Sequence, residues 1–431
     1  MNREPNYKIG SMRDQLEKSY CGTIIDDLKL SKMVAYGAGG GGLPFFRLYR
    51  YKEAFSANLV KRVLQAQQTN KQLVIDPFCG MGTTTTTAFT MGIPSVGVDR
   101  LPIACHIAKT IPKIMQLKPE TLSKRWKKIK NKIEAANCAE VALDVNIMKI
   151  AFNDNTLKKL RQMKTVIDSE NEPLKSIFQL LFFSILENCS YTAKDGQFLR
   201  YLPSKKIQDP IDAFDAKIHM AENDLRSFFK PVQKATKPVI INGDARSLER
   251  VLKKQANKPT IAITSPPYLN RYDYTRTYSL ELCFNFVKNF EELHKLRHSV
   301  LRSHIEVKKK AGDLDMQHPA LVEVLDALSK KQLNNKNITT MIPAYFADMK
   351  KHLESMSKIM SQQATIVFVV DNVRFEGEMI PVDLILSDYA AQMGWNTKSI
   401  TVARYKGNSS QQMAKYGRVP VRESVITWVR M

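Results

Sequence analysis

Short apolar runs alternate with helically spaced ones in the first quarter of the chain. Residues 71–76 (Lys-Gln-Leu-Val-Ile-Asp) read as a brief buried strand that stops at a turn rich in Pro and Gly. Thr83 to Met91 can follow as a helix. Ser95 to Val98 is a second apolar strand, ending at Asp99. Pro102 to Thr110 can open another helix, with proline tolerated in its first turn. Strand, turn, helix, strand, helix is how a doubly wound α/β sheet begins. The pattern then breaks. Leu122, Trp126, Ile129 and Ile133 recur at helical spacing among lysines, and residues 156–230 look mainly helical around the apolar run 177–186. Strands resume at Val239–Asn242 and Thr260–Thr264, and a basic helical stretch fills about 276–360. Thr365–Val370, Ile400–Arg404 and Glu423–Val429 complete seven strand candidates, the last two close enough to pair antiparallel. Residues 1 to about 35 read as polar, irregular chain, and Tyr36-Gly-Ala-Gly-Gly-Gly-Gly42 as a linker.

Composition narrows the class. Hydrophobic residues make up 44% and charged residues 25% of the 431, the profile of a globular protein with one large domain or two. A net charge of +23, from 65 Lys+Arg against 42 Asp+Glu, favours a polyanionic partner. No run approaches a spanning helix, and the N-terminus has no apolar signal core, so no membrane is expected and nucleic acid is the better partner. The six cysteines are scattered without a C-x-x-C pair; neither a metal site nor a disulfide framework is expected, and a reducing cytoplasm fits.

Two segments carry candidate chemistry. In Val74-Ile-Asp-Pro-Phe-Cys-Gly-Met-Gly-Thr-Thr84 a strand ends at Asp76, and Gly80 and Gly82 sit in the turn leading to a helix, where glycine permits positive φ and close ligand approach. A dinucleotide's pyrophosphate would be ill placed beside Asp76, and the third dinucleotide glycine is absent. A cationic ligand reverses the argument: S-adenosylmethionine carries an ammonium that a carboxylate can meet. Asp99, ending the next strand, can accept both ribose hydroxyls or can simply cap a helix. The second segment is Ile261-Ala-Ile-Thr-Ser-Pro-Pro-Tyr268. Two prolines stiffen the turn and remove two backbone donors, leaving acceptors from the Ser265 oxygen and the carbonyls beside the Tyr268 ring. Rigid acceptors can orient an exocyclic base amine and sharpen its delocalised lone pair, while the ring stacks on a base taken out of the duplex. Alone, either segment could be an ordinary turn.

Together, in this order, Asp76-Pro-Phe-Cys-Gly-Met-Gly-Thr83 and Thr264-Ser-Pro-Pro-Tyr268 closely resemble the cofactor and catalytic motifs of the DNA amino-methyltransferases. In that family Ser-Pro-Pro-Tyr is typical of cytosine-N4 enzymes and Asp-Pro-Pro-Tyr of adenine-N6 enzymes. The resemblance implies a seven-stranded, Rossmann-like class I methyltransferase sheet (α/β) with helical insertions. It implies S-adenosylmethionine held by Asp76, Phe78, Gly80, Gly82, Thr83 and Asp99, with Phe55 and Ser56 at the methionine end and Asp244 at the adenine. Ser265, Pro266, Pro267 and Tyr268 become the catalytic residues, and double-stranded DNA the substrate. A cognate restriction endonuclease is an implied partner. Met81 departs from the motif's usual serine. The resemblance divides the chain into an N-terminal segment 1–45, methyltransferase parts 46–110, 238–284 and 346–431, and insertions 111–237 and 285–345 that match nothing. Because the chain ends on the last strand, site recognition is expected from those basic insertions. Leu296–His304 and Lys308-Lys-Lys310 are read as phosphate contacts, and the loops 192–201 and 408–412 as further candidates. Adenine-N6 methylation and a non-catalytic DNA-binding protein on the same scaffold are the rival readings.

Overall fold

The computed structural model describes all residues except 1–6, 36–42, 53, 68–72, 196–197, 229–235, 254, 256, 307–313, 408–409 and 431. The glycine run, the Lys308–Lys310 triplet and Asn408-Ser409 therefore lie outside the described residues.

The strands in chain order are β1 (Ile24–Asp26), β2 (Val74–Asp76), β3 (Ser95–Asp99), β4 (Thr192–Asp195), β5 (Phe198–Tyr201), β6 (Val239–Asn242), β7 (Ile261–Thr264), β8 (Thr365–Asp371), β9 (Val373–Phe375), β10 (Glu378–Ile380), β11 (Asn396–Lys406) and β12 (Val421–Val429). Eight of them form one sheet in the order β1-β11-β12-β8-β7-β2-β3-β6. Strands β6, β3, β2, β7 and β8 run parallel, whereas β12 is antiparallel to both of its neighbours. The first six residues of β8 are all buried, as a strand covered by helices on both faces requires. All seven expected strands are present, and they make the expected Rossmann-like methyltransferase sheet.

The N-terminal expectation is corrected. Residues 12–20 form a helix capped by Ser11, and β1 adds an eighth strand, parallel to β11 with Ile24 opposite Ile400. Leu16 is buried, and the Arg13 guanidinium pairs with Glu323 and Glu378. A three-residue edge strand has no period to read, so only the pairing reveals it.

The 111–237 insertion is helical as expected, and its helices Thr121–Ile129, Asp154–Asp168, Leu174–Ile185 and Pro210–Phe228 share one core with the helix Pro102–Ile114 of the sheet. The Trp126 and Phe214 rings pack with centroids 4.3 Å apart, and the indole N–H of Trp126 donates to Asp215. The candidate loop at 192–201 is the antiparallel hairpin β4–β5. On the opposite face the helices Ile338–Ile359 and Val382–Gln392 build a second core beneath β8 and β12. The chain leaves β2 for β3 on one side and later returns to β7 on the other. Strands β2 and β7 therefore flank a topological switch point, where α/β sheets open a crevice at their carboxyl ends.

Candidate active site

The parallel strands deliver their C-terminal residues to that crevice. Asp76 ends β2, Asp99 ends β3, Asp244 follows β6 and Ser265 follows β7. The two motifs touch directly: the Thr264 hydroxyl donates to Asp76 Oδ1 at 2.7 Å. Asp76 is buried, and its Oδ1 also accepts from the Phe78 N–H at 3.2 Å. Burial pushes its carboxyl up to about 7, against the opposing pull of the Thr264 and Thr84 hydroxyls. Asp99 Oδ2 accepts the Gly80 N–H at 2.8 Å and Oδ1 accepts the Leu101 N–H at 2.8 Å. Burial pushes Asp99 up to about 6 despite these backbone donors.

An open cleft of about 950 Å³, solvent at its mouth included, is lined by Phe55, Phe78, Gly80, Thr83, Asp99, Asp244, Ser265 and Pro267. Gly80 has φ +49°, and a Cβ there would stand 3.0 Å from the Tyr51 ring, so the turn and Tyr51 form a narrow cradle. Phe78 is backed by the buried His352 ring, centroids 4.7 Å apart. Asp244 receives Arg246 through Nε at 2.9 Å and Nη2 at 2.8 Å. Burial alone would raise Asp244, but Arg246 outweighs it and holds the carboxyl below its usual range. Arg246 also reaches Asp348 at 3.0 Å, which in turn holds Arg302 at 2.7 Å.

At the second motif, Ser265 Oγ lies 3.2 Å from the Val369 carbonyl and 3.3 Å from the Tyr268 hydroxyl. Both are acceptors here, because the Tyr268 proton goes to Glu423, so the Ser265 proton is directed to one or the other and the oxygen keeps lone pairs for a ligand. The Tyr268 hydroxyl donates to Glu423 at 3.1 Å, and Lys406 Nζ lies 5.6 Å from the centre of its ring. Glu423 is buried and compensated by Arg404 and by Lys406, the latter at 3.0 Å.

Five expected residues stand outside the cleft wall. Ser56 Oγ caps the helix Ala57–Ala66, accepting from the Asn58 N–H. Asp76 is turned inward as above. Gly82 has φ +83°, and a Cβ there would meet Ala108 Cβ at 2.8 Å, so this glycine lets two helices pack rather than lining the cleft. Pro266 and Tyr268 alternate along the chain with the wall residues Ser265 and Pro267. The wall also contains Tyr51, Tyr272, Tyr274, Arg246 and residues 299–301, 303 and 304. Tyr272 and Tyr274 follow the second motif closely enough for proximity to have flagged them. No sequence signal placed 299–304 here. Arg297 and Arg302, expected at phosphates, have side chains 11% and 12% exposed and are paired with Asp273, Glu306 and Asp348. Their charge is already compensated inside the fold, which corrects that expectation. Of the other candidate loop, residues 410–416 form a short helix.

The donor set tests what the cleft can hold. Carboxylates at Asp99 and Asp244 suit hydroxyls and an amine, aromatic slabs at Phe78 and Tyr51 suit a purine, and Arg246 is already engaged by two carboxylates, which disfavours a pyrophosphate. S-adenosylmethionine fits these residues, and an acceptor turn facing the same cleft marks a methyltransferase. A family profile described as DNA methylase matches residues 32–110. The chain is 32% identical over 471 aligned residues to the type II methyltransferase M.BsoBI of Geobacillus stearothermophilus, covering 96% of this chain and 91% of that one. It is 31% identical over 432 residues to the type II methyltransferase M.AvaI of a Nostoc species, covering 93% and 89%. The chain therefore belongs to the DNA amino-methyltransferase family. Among solved structures, the rRNA methyltransferase aviRa of Streptomyces viridochromogenes aligns over 91% of this chain and 96% of its own, at 11% identity and a TM-score of 0.32, too loose to add to the topology itself.

Proposed function

We propose that this protein is a site-specific DNA methyltransferase that transfers a methyl group from S-adenosylmethionine to the N4 amine of a flipped-out cytosine, in a cytoplasmic restriction–modification system alongside a cognate endonuclease. The single observation that carries the reading is the Ser265 oxygen, in the cleft wall with its own proton turned to the protein acceptors Val369 and Tyr268. It is a neutral, pre-oriented acceptor for an amine N–H.

S-adenosylmethionine supplies an electrophilic methyl group. Asp99 accepts the ribose hydroxyls, Asp244 the adenine amine, and Phe55 and Phe78 enclose the apolar part. Asp76, raised to about 7 by burial, ionises as the ammonium approaches and supplies its counter-charge. Ser265 and the Pro266 carbonyl accept the two N–H groups of the target amine, which localises its lone pair on nitrogen. Tyr268 offers its ring face to the extracted base, with its hydroxyl anchored on Glu423. Positioning and electrostatics supply the rate, with no covalent adduct.

The test is to incubate the protein with S-adenosylmethionine and unmodified mixed-sequence duplex DNA, digest to nucleosides and quantify products by mass spectrometry. N4-methylcytosine is expected. N6-methyladenine would keep the enzyme and overturn the base assignment, and cofactor binding without any methylated base would point to a non-catalytic scaffold.

A further inference from the structure

The segment 299–304 folds back from the basic insertion onto the catalytic turn. The Arg271 N–H, three residues beyond Tyr268, donates to the Ser303 carbonyl at 3.1 Å. The next residue, His304, is part of the same cleft wall as Ser265, yet only 4% exposed. The backbone of Arg297 bonds its ring, while its Nδ1 has no hydrogen-bond partner among the described residues. With no acceptor beside Nδ1 among them, the ring proton is assigned to Nε2, on the side of the Arg297 backbone. Nδ1 is left as a bare lone pair on a neutral imidazole. A buried polar atom without a partner is destabilising, and such atoms are rare enough to ask what fills them.

The charged groups facing this ring are Asp273 from the turn after the second motif, Arg276 from the short helix Tyr274–Thr277, and Arg297 from the helix Phe290–Arg297. Burial pushes the imidazole below its ordinary range. The two arginines act the same way and Asp273 opposes them, so the ring is neutral at pH 7. The carboxylates of the wall are engaged: Asp99 by two backbone N–H groups and Asp244 by Arg246.

We propose that His304 is a further catalytic residue, its Nδ1 taking the proton that the target amine sheds during methyl transfer. The inference rests on the methyltransferase reading above. The amine nitrogen bonds to the methyl carbon, and the electron pair of the broken carbon–sulfur bond stays on sulfur. The nitrogen, now cationic, gives an N–H proton to Nδ1 and keeps that bonding pair, which rejoins the ring conjugation. The imidazolium then returns the proton to solvent. Ser265 and the Pro266 carbonyl can hold the amine but cannot carry a proton away, and a strongly acidic alkylated amine needs only a weak base.

His304→Asn keeps an acceptor near the Nδ1 position but cannot be protonated at neutral pH. Its single-turnover methylation of mixed-sequence duplex DNA should fall on the order of a hundredfold, with S-adenosylmethionine and DNA affinities within about twofold of wild type. Exogenous imidazole should restore His304→Ala. In the ligand-free wild type, histidine NMR should give His304 a titration midpoint below 6.5, matching an acid limb in the rate that the Asn variant lacks. A wild-type rate in His304→Asn overturns the inference. So does a loss that follows weakened cofactor or DNA binding and is not rescued by imidazole. A wild type that binds the donor but methylates nothing overturns the methyltransferase reading and this inference together.

Discussion

Replacing Asp99 by asparagine tests the cofactor site without changing its shape. Two of the carboxylate's acceptor positions are filled by the N–H groups of Gly80 and Leu101, each at 2.8 Å. The remaining lone pairs are what a ribose diol would use. Asparagine keeps one accepting oxygen and turns the other position into a donor facing the Gly80 or Leu101 N–H, so it forfeits that backbone bond and one charge-assisted hydrogen bond to the ligand. Such a bond contributes about 1.5–3 kcal/mol, which makes S-adenosylmethionine binding about tenfold to a hundredfold weaker. Acid should mimic the substitution. With Asp76 raised to about 7 and Asp99 to about 6, wild-type binding should weaken as pH falls below 7 and more steeply below 6, and the Asn variant should keep only the shallower limb from Asp76. Stability responds with the opposite sign. A carboxyl raised on folding contributes stability that is fully present below its unfolded value of 3.8 and lost as pH rises through 6. In ligand-free thermal melts the wild type's advantage over Asp99→Asn should therefore shrink between pH 4 and 7. Calorimetric titration of both proteins from pH 5 to 8 is decisive: wild-type affinity and an unchanged acid limb in Asp99→Asn would refute the ribose assignment.

Ser265→Ala and Tyr268→Ala should each lose about a hundredfold in single-turnover rate while cofactor affinity holds, and normal DNA methylation by both variants would sink the catalytic assignment. Lys194 on β4 is buried between the Tyr49 and Tyr278 rings, 4.8 and 4.9 Å from their centres, and pairs with Glu281. Lys194→Met leaves that carboxylate buried and unpaired, so urea unfolding should show a loss of about 3–5 kcal/mol, largely recovered in the Lys194→Met/Glu281→Leu double variant. Failure of the double variant to recover would show that the pair does more than neutralise itself. Gly82→Ala should cost about 1–3 kcal/mol through its positive φ and its collision with Ala108, while the folded fraction binds cofactor normally; weakened cofactor binding would return Gly82 to the cleft.

Much of the sheet was legible because its strands announce themselves locally. Val74–Asp76, Ser95–Asp99 and Thr365–Asp371 are apolar runs bounded by turn residues, as strands buried on both faces must be. The two motifs were legible because prolines and glycines fix backbone chemistry within a few residues. Three-dimensional pairing decided the rest. Ile24–Asp26 is a strand only because β11 offers an edge, and the hairpin at 192–201 forms where Lys194 can be buried against Tyr49 and Tyr278. Arg297 and Arg302 looked like free positive charge until Asp273 and Asp348, distant in sequence, were found beside them. Gly80 and Gly82, two residues apart in one motif, part company for the same reason: one faces the cleft and the other a neighbouring helix. The class of sheet and the chemistry of its strand-end turns can be read from the chain alone, because they depend on short-range patterning and fixed dihedrals. Which charges are already spent on one another, and which polar atoms, like Nδ1 of His304, are buried without a partner among the described residues, depends on contacts between residues far apart in the chain.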